Sequence, residues 1–170
     1  LSNATVSASA VTYNGSAQAP TASATTGVSG ETMTVTRTTQ TNASENNYTS
    51  TASCSSVTNG QASCANYNLT NKTKAYEITL QPITPPTNSS PDKIYTGSSI
   101  ASCITCPPGS TAGGTQSATA VGEYTQTCTL LSNYKWDDDT TDAKSYTWYI
   151  NNAKLTFNKL RSEERFSRNA

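Results

Sequence analysis

An all-β chain built from two tandem small modules is predicted by three observations: an ordered internal repeat, runs of strict two-residue alternation, and a composition rich in Thr and Tyr but thin in large aliphatic residues. Tyr13-Asn14-Gly15-Ser16 recurs as Tyr95-Thr96-Gly97-Ser98, Tyr48-Thr49 as Tyr124-Thr125, and Asn66-Tyr67 as Asn133-Tyr134, always in the same order. Tandem copies of one small unit usually build arrays for reach or display, since each copy contributes the same surface. Val, Ile, Leu and Phe supply 21 of the 170 residues, while the net charge is zero. So few large apolar residues match half of the signature of disorder, but the high net charge that completes it is missing. Thin β-modules with small cores fit both facts, and modules of about 60 to 80 residues commonly lean on disulfides.

The strands follow from alternation. Lys144-Ser145-Tyr146-Thr147-Trp148-Tyr149-Ile150 places Tyr146, Trp148 and Ile150 on one face, and Lys74-Ala75-Tyr76-Glu77-Ile78-Thr79-Leu80 does the same with Tyr76, Ile78 and Leu80. Tyr124, Gln126, Cys128 and Leu130 share a strand face, matched in the first copy by Tyr48, Ser50, Ala52 and Cys54. No segment carries a 3.6-residue apolar stripe. Asn14-Gly15, Asn59-Gly60, Pro107-Pro108-Gly109 and Gly113-Gly114 mark reversals. Residues 81–92, with four prolines, read as an extended, semi-rigid linker. The expected organisation is therefore a first β-module at 4–80, the linker at 81–92, a second β-module at 93–151, and the start of a further repeat at 152–160. That last expectation comes from Asn152-Ala153-Lys154-Leu155-Thr156-Phe157, which echoes Asn3-Ala4-Thr5-Val6-Ser7-Ala8.

The last ten residues, 161–170, resemble codon for codon an in-frame translation of a DNA sequencing adapter, and such a scar is excluded from fold reasoning. On that reading the chain is a fragment of a longer one, and the lack of a signal segment at Leu1 carries no information. Without Arg161, Arg165, Arg168, Glu163 and Glu164 the balance is 8 basic against 9 acidic residues, a net charge of −1. Dispersed lysines offer no footprint for nucleic acid, and no apolar run approaches the ~18 residues of a membrane span.

Tyr95-Thr96-Gly97-Ser98, Gly122-Glu123-Tyr124-Thr125 and the run from Asn133 to Ile150 together resemble the Ig-like or "mostly β-grasp" repeats of large bacterial surface proteins. The resemblance is good over residues 93 to 151 and weaker over 4 to 80. It implies Ig-like or β-grasp-like all-β modules, tandem arrays with neighbouring repeats as partners, extracellular or cell-surface display, an adhesin-like setting and no catalysis. Two departures stand out: Asp139 occupies a place where a turn glycine is usual, and five cysteines exceed what such repeats carry.

The chain has no histidine, which removes Ser-His-Asp and Cys-His nucleophile activation and every His-containing zinc site. No cofactor is expected. Cys103-Ile104-Thr105-Cys106 is a CxxC, but Pro107-Pro108-Gly109 directly after it disfavours the helix that a redox thiolate needs. Zinc needs four ligands, and this module offers only Cys103, Cys106 and Cys128. Structural disulfides remain, which fit a secreted or surface protein. Tyr48 to Tyr67 spans 19 positions where Tyr124 to Tyr134 spans 10, so a Cys54–Cys64 bridge would close an inserted hairpin. Cys128 is expected to pair with Cys103 or with Cys106, and one of the five remains single.

Asp137, Asp138, Asp139 and Asp142 form the one dense carboxylate cluster, a weak calcium candidate without the EF-hand glycine and more simply a solvated turn. Tyr134, Trp136 and Tyr149 are the possible ligand aromatics, for a glycan or a host or cell-surface protein; core packing of Trp136 is the competing expectation, because the family resemblance implies an aromatic there.

Overall fold

The computed structural model describes residues 2–6, 10–44, 48–59, 63–87 and 91–156. The chain is all-β: sixteen strands and one 3-10 turn, Cys64–Asn66, with no α-helix among the described residues. The expected adapter tail, 161–170, and residues 157–160 lie outside the described residues.

The first eight strands are β1 (Ser2–Val6), β2 (Val11–Thr12), β3 (Ala22–Ala24), β4 (Thr32–Arg37), β5 (Tyr48–Thr58), β6 (Leu69–Thr70), β7 (Thr73–Tyr76) and β8 (Ile78–Thr79). The remaining eight are β9 (Gln81–Ile83), β10 (Asp92–Ile94), β11 (Ile100–Ala101), β12 (Ser110–Gly114), β13 (Ser117–Ala118), β14 (Gly122–Leu130), β15 (Tyr134–Trp136) and β16 (Lys144–Asn151). The sheets run β3-β1-β6, β4-β5-β7 and β10-β16-β14-β12, with two-stranded pairs β2-β8, β9-β15 and β11-β13.

The chain divides into two compact units: residues 1–86, 105–112 and 128–144 in one, and 87–104, 113–127 and 145–170 in the other. These bounds do not follow the sequence boundaries at 81–92. The reason lies in β9. Gln81–Ile83, expected as the start of the linker, pairs in parallel with β15, in register Tyr134↔Gln81, Lys135↔Pro82 and Trp136↔Ile83. Pro82 is tolerated in this pairing because Gln81 and Ile83 hold the ladder on either side of it: Gln81 N–H donates to Asn133 O at 3.0 Å, and Asp137 N–H to Ile83 O at 3.1 Å.

The first unit contains a cluster of small residues. Ala4, Val6 and Ala52 are buried, with Ala22, Ala24 and Leu69 packed against them. Alternation places these side chains: β5 reads half-buried, exposed, buried, half-buried, buried from Tyr48 to Ala52. Near the far end of β5 the register against β4 shifts between Thr34 and Val35, a bulge that changes which β5 residues face the partner. The run from Lys74 to Leu80, expected as one strand, is two. β7 pairs antiparallel with β5, and β8 pairs in parallel with β2, so the chain changes partner at Glu77. Tyr76 and Ile78 are buried as expected, whereas Leu80, past the end of β8, is half-buried.

In the second unit Trp148 and Ile150 of β16 are fully enclosed, together with Ile104 and Gln126. Burying Gln126 requires partners for its amide, and both ends have them: Nε2–H donates to Ile104 O at 3.0 Å, and Oε1 accepts from the Ser102 hydroxyl. In the first unit Ser50, its counterpart in the repeat, is also buried and donates to Thr38 O at 3.1 Å.

Candidate functional site

Two disulfides are present. Cys54 pairs with Cys64 (Cα–Cα 5.7 Å), which ties β5 to the 3-10 turn where a second hairpin strand was expected, and Cys106 pairs with Cys128 (Cα–Cα 5.6 Å). Of the two alternatives for Cys128 the fold selects Cys106. Cys103 is in neither disulfide and is half-buried. No group of three or more metal-ligating side chains is assembled among the described residues.

The residues predicted as a ligand platform do not form one. Trp136 is wholly buried; its indole N–H donates to Asp142 O at 2.8 Å, and the Lys144 ammonium lies 5.8 Å from its ring centroid. Tyr134 is half-buried, with the Tyr13 ring edge-on at 5.5 Å and an interplanar angle of 80°. Gly109 lies against the same ring: a Cβ at that position, where φ is +92°, would stand 2.6 Å from Tyr134 Cδ1. Tyr149 lies in the second unit, half-buried, its backbone N–H on Pro91 O at 2.7 Å. Gly109→Ala is accordingly expected to displace the Tyr134 ring and strain the backbone, with a loss of about 1–3 kcal/mol in urea denaturation. An unchanged midpoint would remove Gly109 from this account.

The aspartate loop is tied down by its own lysines and backbone. Asp139 N–H donates to Trp136 O at 3.0 Å, and Trp136 N–H to Thr140 O at 2.9 Å, closing the turn. Asp139 takes the left-handed conformation itself, φ 64°, which Asp tolerates better than most residues, so the missing glycine leaves the reversal intact. Lys135 pairs with Asp139 at 2.6 Å, and Lys144 pairs with Asp138. The Lys144 ammonium, then the Thr140 hydroxyl and backbone N–H, hold the Asp138 carboxyl down to about 2 from its ordinary 3.8. A depressed folded pKa stabilises the loop above pH ~4, and that contribution is lost as pH falls through about 2. Asp138 is on the solvent-exposed surface, so the expected effect is local: an NMR titration midpoint near 2 that returns towards the ordinary carboxylate value in Lys144→Met. A midpoint already ordinary in the unaltered chain would remove the Lys144 contact from the account.

Beside this loop the first unit carries a cleft of about 600 Å³. Ser44, Glu77, Leu80, Leu131, Tyr134 and Lys135 are among the side chains that line it. Asn133 fixes one rim, its Oδ1 accepting from Ala43 N–H at 2.9 Å and its Nδ2 donating to Asn42 Oδ1 at 3.3 Å. Sequence reasoning missed this cleft, because its walls come from three segments, 43–44, 77–80 and 130–141, that lie far apart along the chain. The one available signal was the recurrence of Asn66-Tyr67 as Asn133-Tyr134.

Comparison of the chain with protein-family models, with curated proteins and with solved structures returned no match.

Proposed function

We propose that this chain is a non-catalytic extracellular module of a bacterial surface or secreted protein, a spacer of two tandem Ig-like or β-grasp-like repeats within an adhesin-like stalk. The observation that carries this reading is the burial of both tryptophans, each at 0% exposure with its indole N–H on a backbone carbonyl. A sugar platform needs exposed, coplanar rings beside polar groups, whereas a spacer uses its aromatics as core. Two disulfides favour an oxidising compartment. No helix among the described residues is long and apolar enough to cross a membrane.

The alternative is a glycan- or protein-binding module, and the cleft beside Tyr134 is the observation in its favour. Glycan-array binding of the full chain, with and without calcium, separates the two. The spacer reading expects no reproducible binding. Saturable binding that disappears in Leu131→Arg, a variant at a half-exposed cleft position whose folding is checked by circular dichroism, would overturn it.

A further inference from the structure

Two strand pairs are laid out alike, one in each unit. In the first, Val11 and Thr12 pair in parallel with Ile78 and Thr79, and Tyr13 N–H donates to Thr79 O at 2.9 Å. In the second, Lys93 and Ile94 pair in parallel with Ile150 and Asn151, and Tyr95 N–H donates to Asn151 O at 2.9 Å. Gly15 and Gly97, two positions past each tyrosine, both have φ 81°. This register makes Tyr95 the counterpart of Tyr13, Ile94 of Thr12, and residues 153–155 of residues 81–83.

The counterparts differ in what covers them. Tyr13 is half-buried against the Tyr134 ring, and residues 81–83 are the strand β9 held by β15. Tyr95 is 42% exposed, Ile94 57% and Leu155 82%. Among the described residues, 152–156 take part in no strand pairing. Thr12 and its counterpart Ile94 are both exposed, so the difference in coverage lies at the tyrosines and at the segment after the paired strand.

We propose that Tyr95 and residues 153–155 form a docking surface, and that its occupant is a further copy of the same repeat, presenting its equivalent of the strand Tyr134–Trp136. The inference deepens the spacer reading and rests on it. The occupant is selected by continuity with the junction inside the first unit, where the matching surface is covered by β15 and its tyrosine. The chemistry agrees: a chain segment outside any strand pairing accepts a strand, and an exposed tyrosine accepts an aromatic ring.

The test extends the whole protein. A chain of residues 1–155 followed by residues 84–170 keeps residues 153–155 in place, puts Thr84 where Thr156 stands, and so keeps the register of the first junction. In the 170-residue protein Tyr95→Ala is expected to leave the urea midpoint nearly unchanged. In the extended chain it is expected to lower the midpoint as much as Tyr13→Ala does in the 170-residue protein. Hydrogen exchange at the amides of residues 93–95 is expected to slow at least tenfold on extension. Equal effects of Tyr95→Ala in both chains, with exchange unchanged, would overturn the proposal, whether the added copy folds without docking or does not fold. The spacer reading survives that result, since it is judged by ligand binding instead.

Discussion

Trp148→Ala is expected to destabilise the chain by about 4 kcal/mol, the largest loss anticipated for a single substitution. Its side chain is fully enclosed, its indole N–H donates to Thr115 O at 2.9 Å, and its ring lies 4.9 Å from that of Tyr124. Truncating a buried tryptophan costs about 3–5 kcal/mol through lost contacts and a residual cavity. The Thr115 carbonyl also loses its donor, which places the expectation in the middle of that range or above. Since small proteins unfold with about 5–15 kcal/mol, the variant should show a large unfolded fraction at mild urea concentrations. Trp148→Phe, which keeps a ring and loses only the N–H and part of the volume, is expected to cost about half as much. Urea titrations followed by far-ultraviolet circular dichroism measure both, with Trp136 fluorescence reporting separately on the first unit. A loss under about 1 kcal/mol for Trp148→Ala would mean that the core of the second unit lies elsewhere.

Breaking Cys106–Cys128 is expected to cost about 3 kcal/mol, more than breaking Cys54–Cys64. The first bridge spans 22 positions and the second 10, and the entropy removed from the unfolded chain grows with the loop closed. Burial widens the difference. Cys128 is 0% exposed in the middle of β14, whereas Cys54 and Cys64 are half-buried at the edge of an insertion. The comparison to make is Cys106→Ala with Cys128→Ala against Cys54→Ala with Cys64→Ala, each in urea under non-reducing conditions. If the Cys54–Cys64 pair proves the costlier to lose, the tie between β5 and the 3-10 turn is more than an ornament on the first unit.

The sequence made the strand faces readable because their period is short and local. Tyr76, Ile78, Trp148 and Ile150 are buried where alternation puts them, and Ser50 and Gln126 follow the same rule despite being polar. Their hydrogen-bond partners, Thr38 O and Ile104 O, could not be read from alternation, because no local pattern encodes which carbonyl comes within reach. Residues 81–83 were misjudged for a related reason. Pro82 argues for a connector only if its missing N–H is needed, and in β9 the flanking Gln81 and Ile83 carry the pairing. Composition also described Asp137 to Asp142 as a bare acidic run. Lys135, two positions before it, and Lys144, two positions after it, were the visible sign that part of that charge is neutralised within the turn.

The parallel pairing of β10 with β16 bears on how this protein responds to a pull. Asp92, Lys93 and Ile94 lie beside Tyr149, Ile150 and Asn151, running in the same direction. Tension applied to the chain before β10 and after β16 drags these two strands past each other lengthwise. Every hydrogen bond of the pair then carries load at once, from Tyr149 N–H on Pro91 O to Tyr95 N–H on Asn151 O. An antiparallel hairpin pulled at its open end yields one bond at a time, like a zip. Rupture under force is governed by the unfolding rate, so sharing the load raises the force at which this end gives way without requiring a larger equilibrium stability.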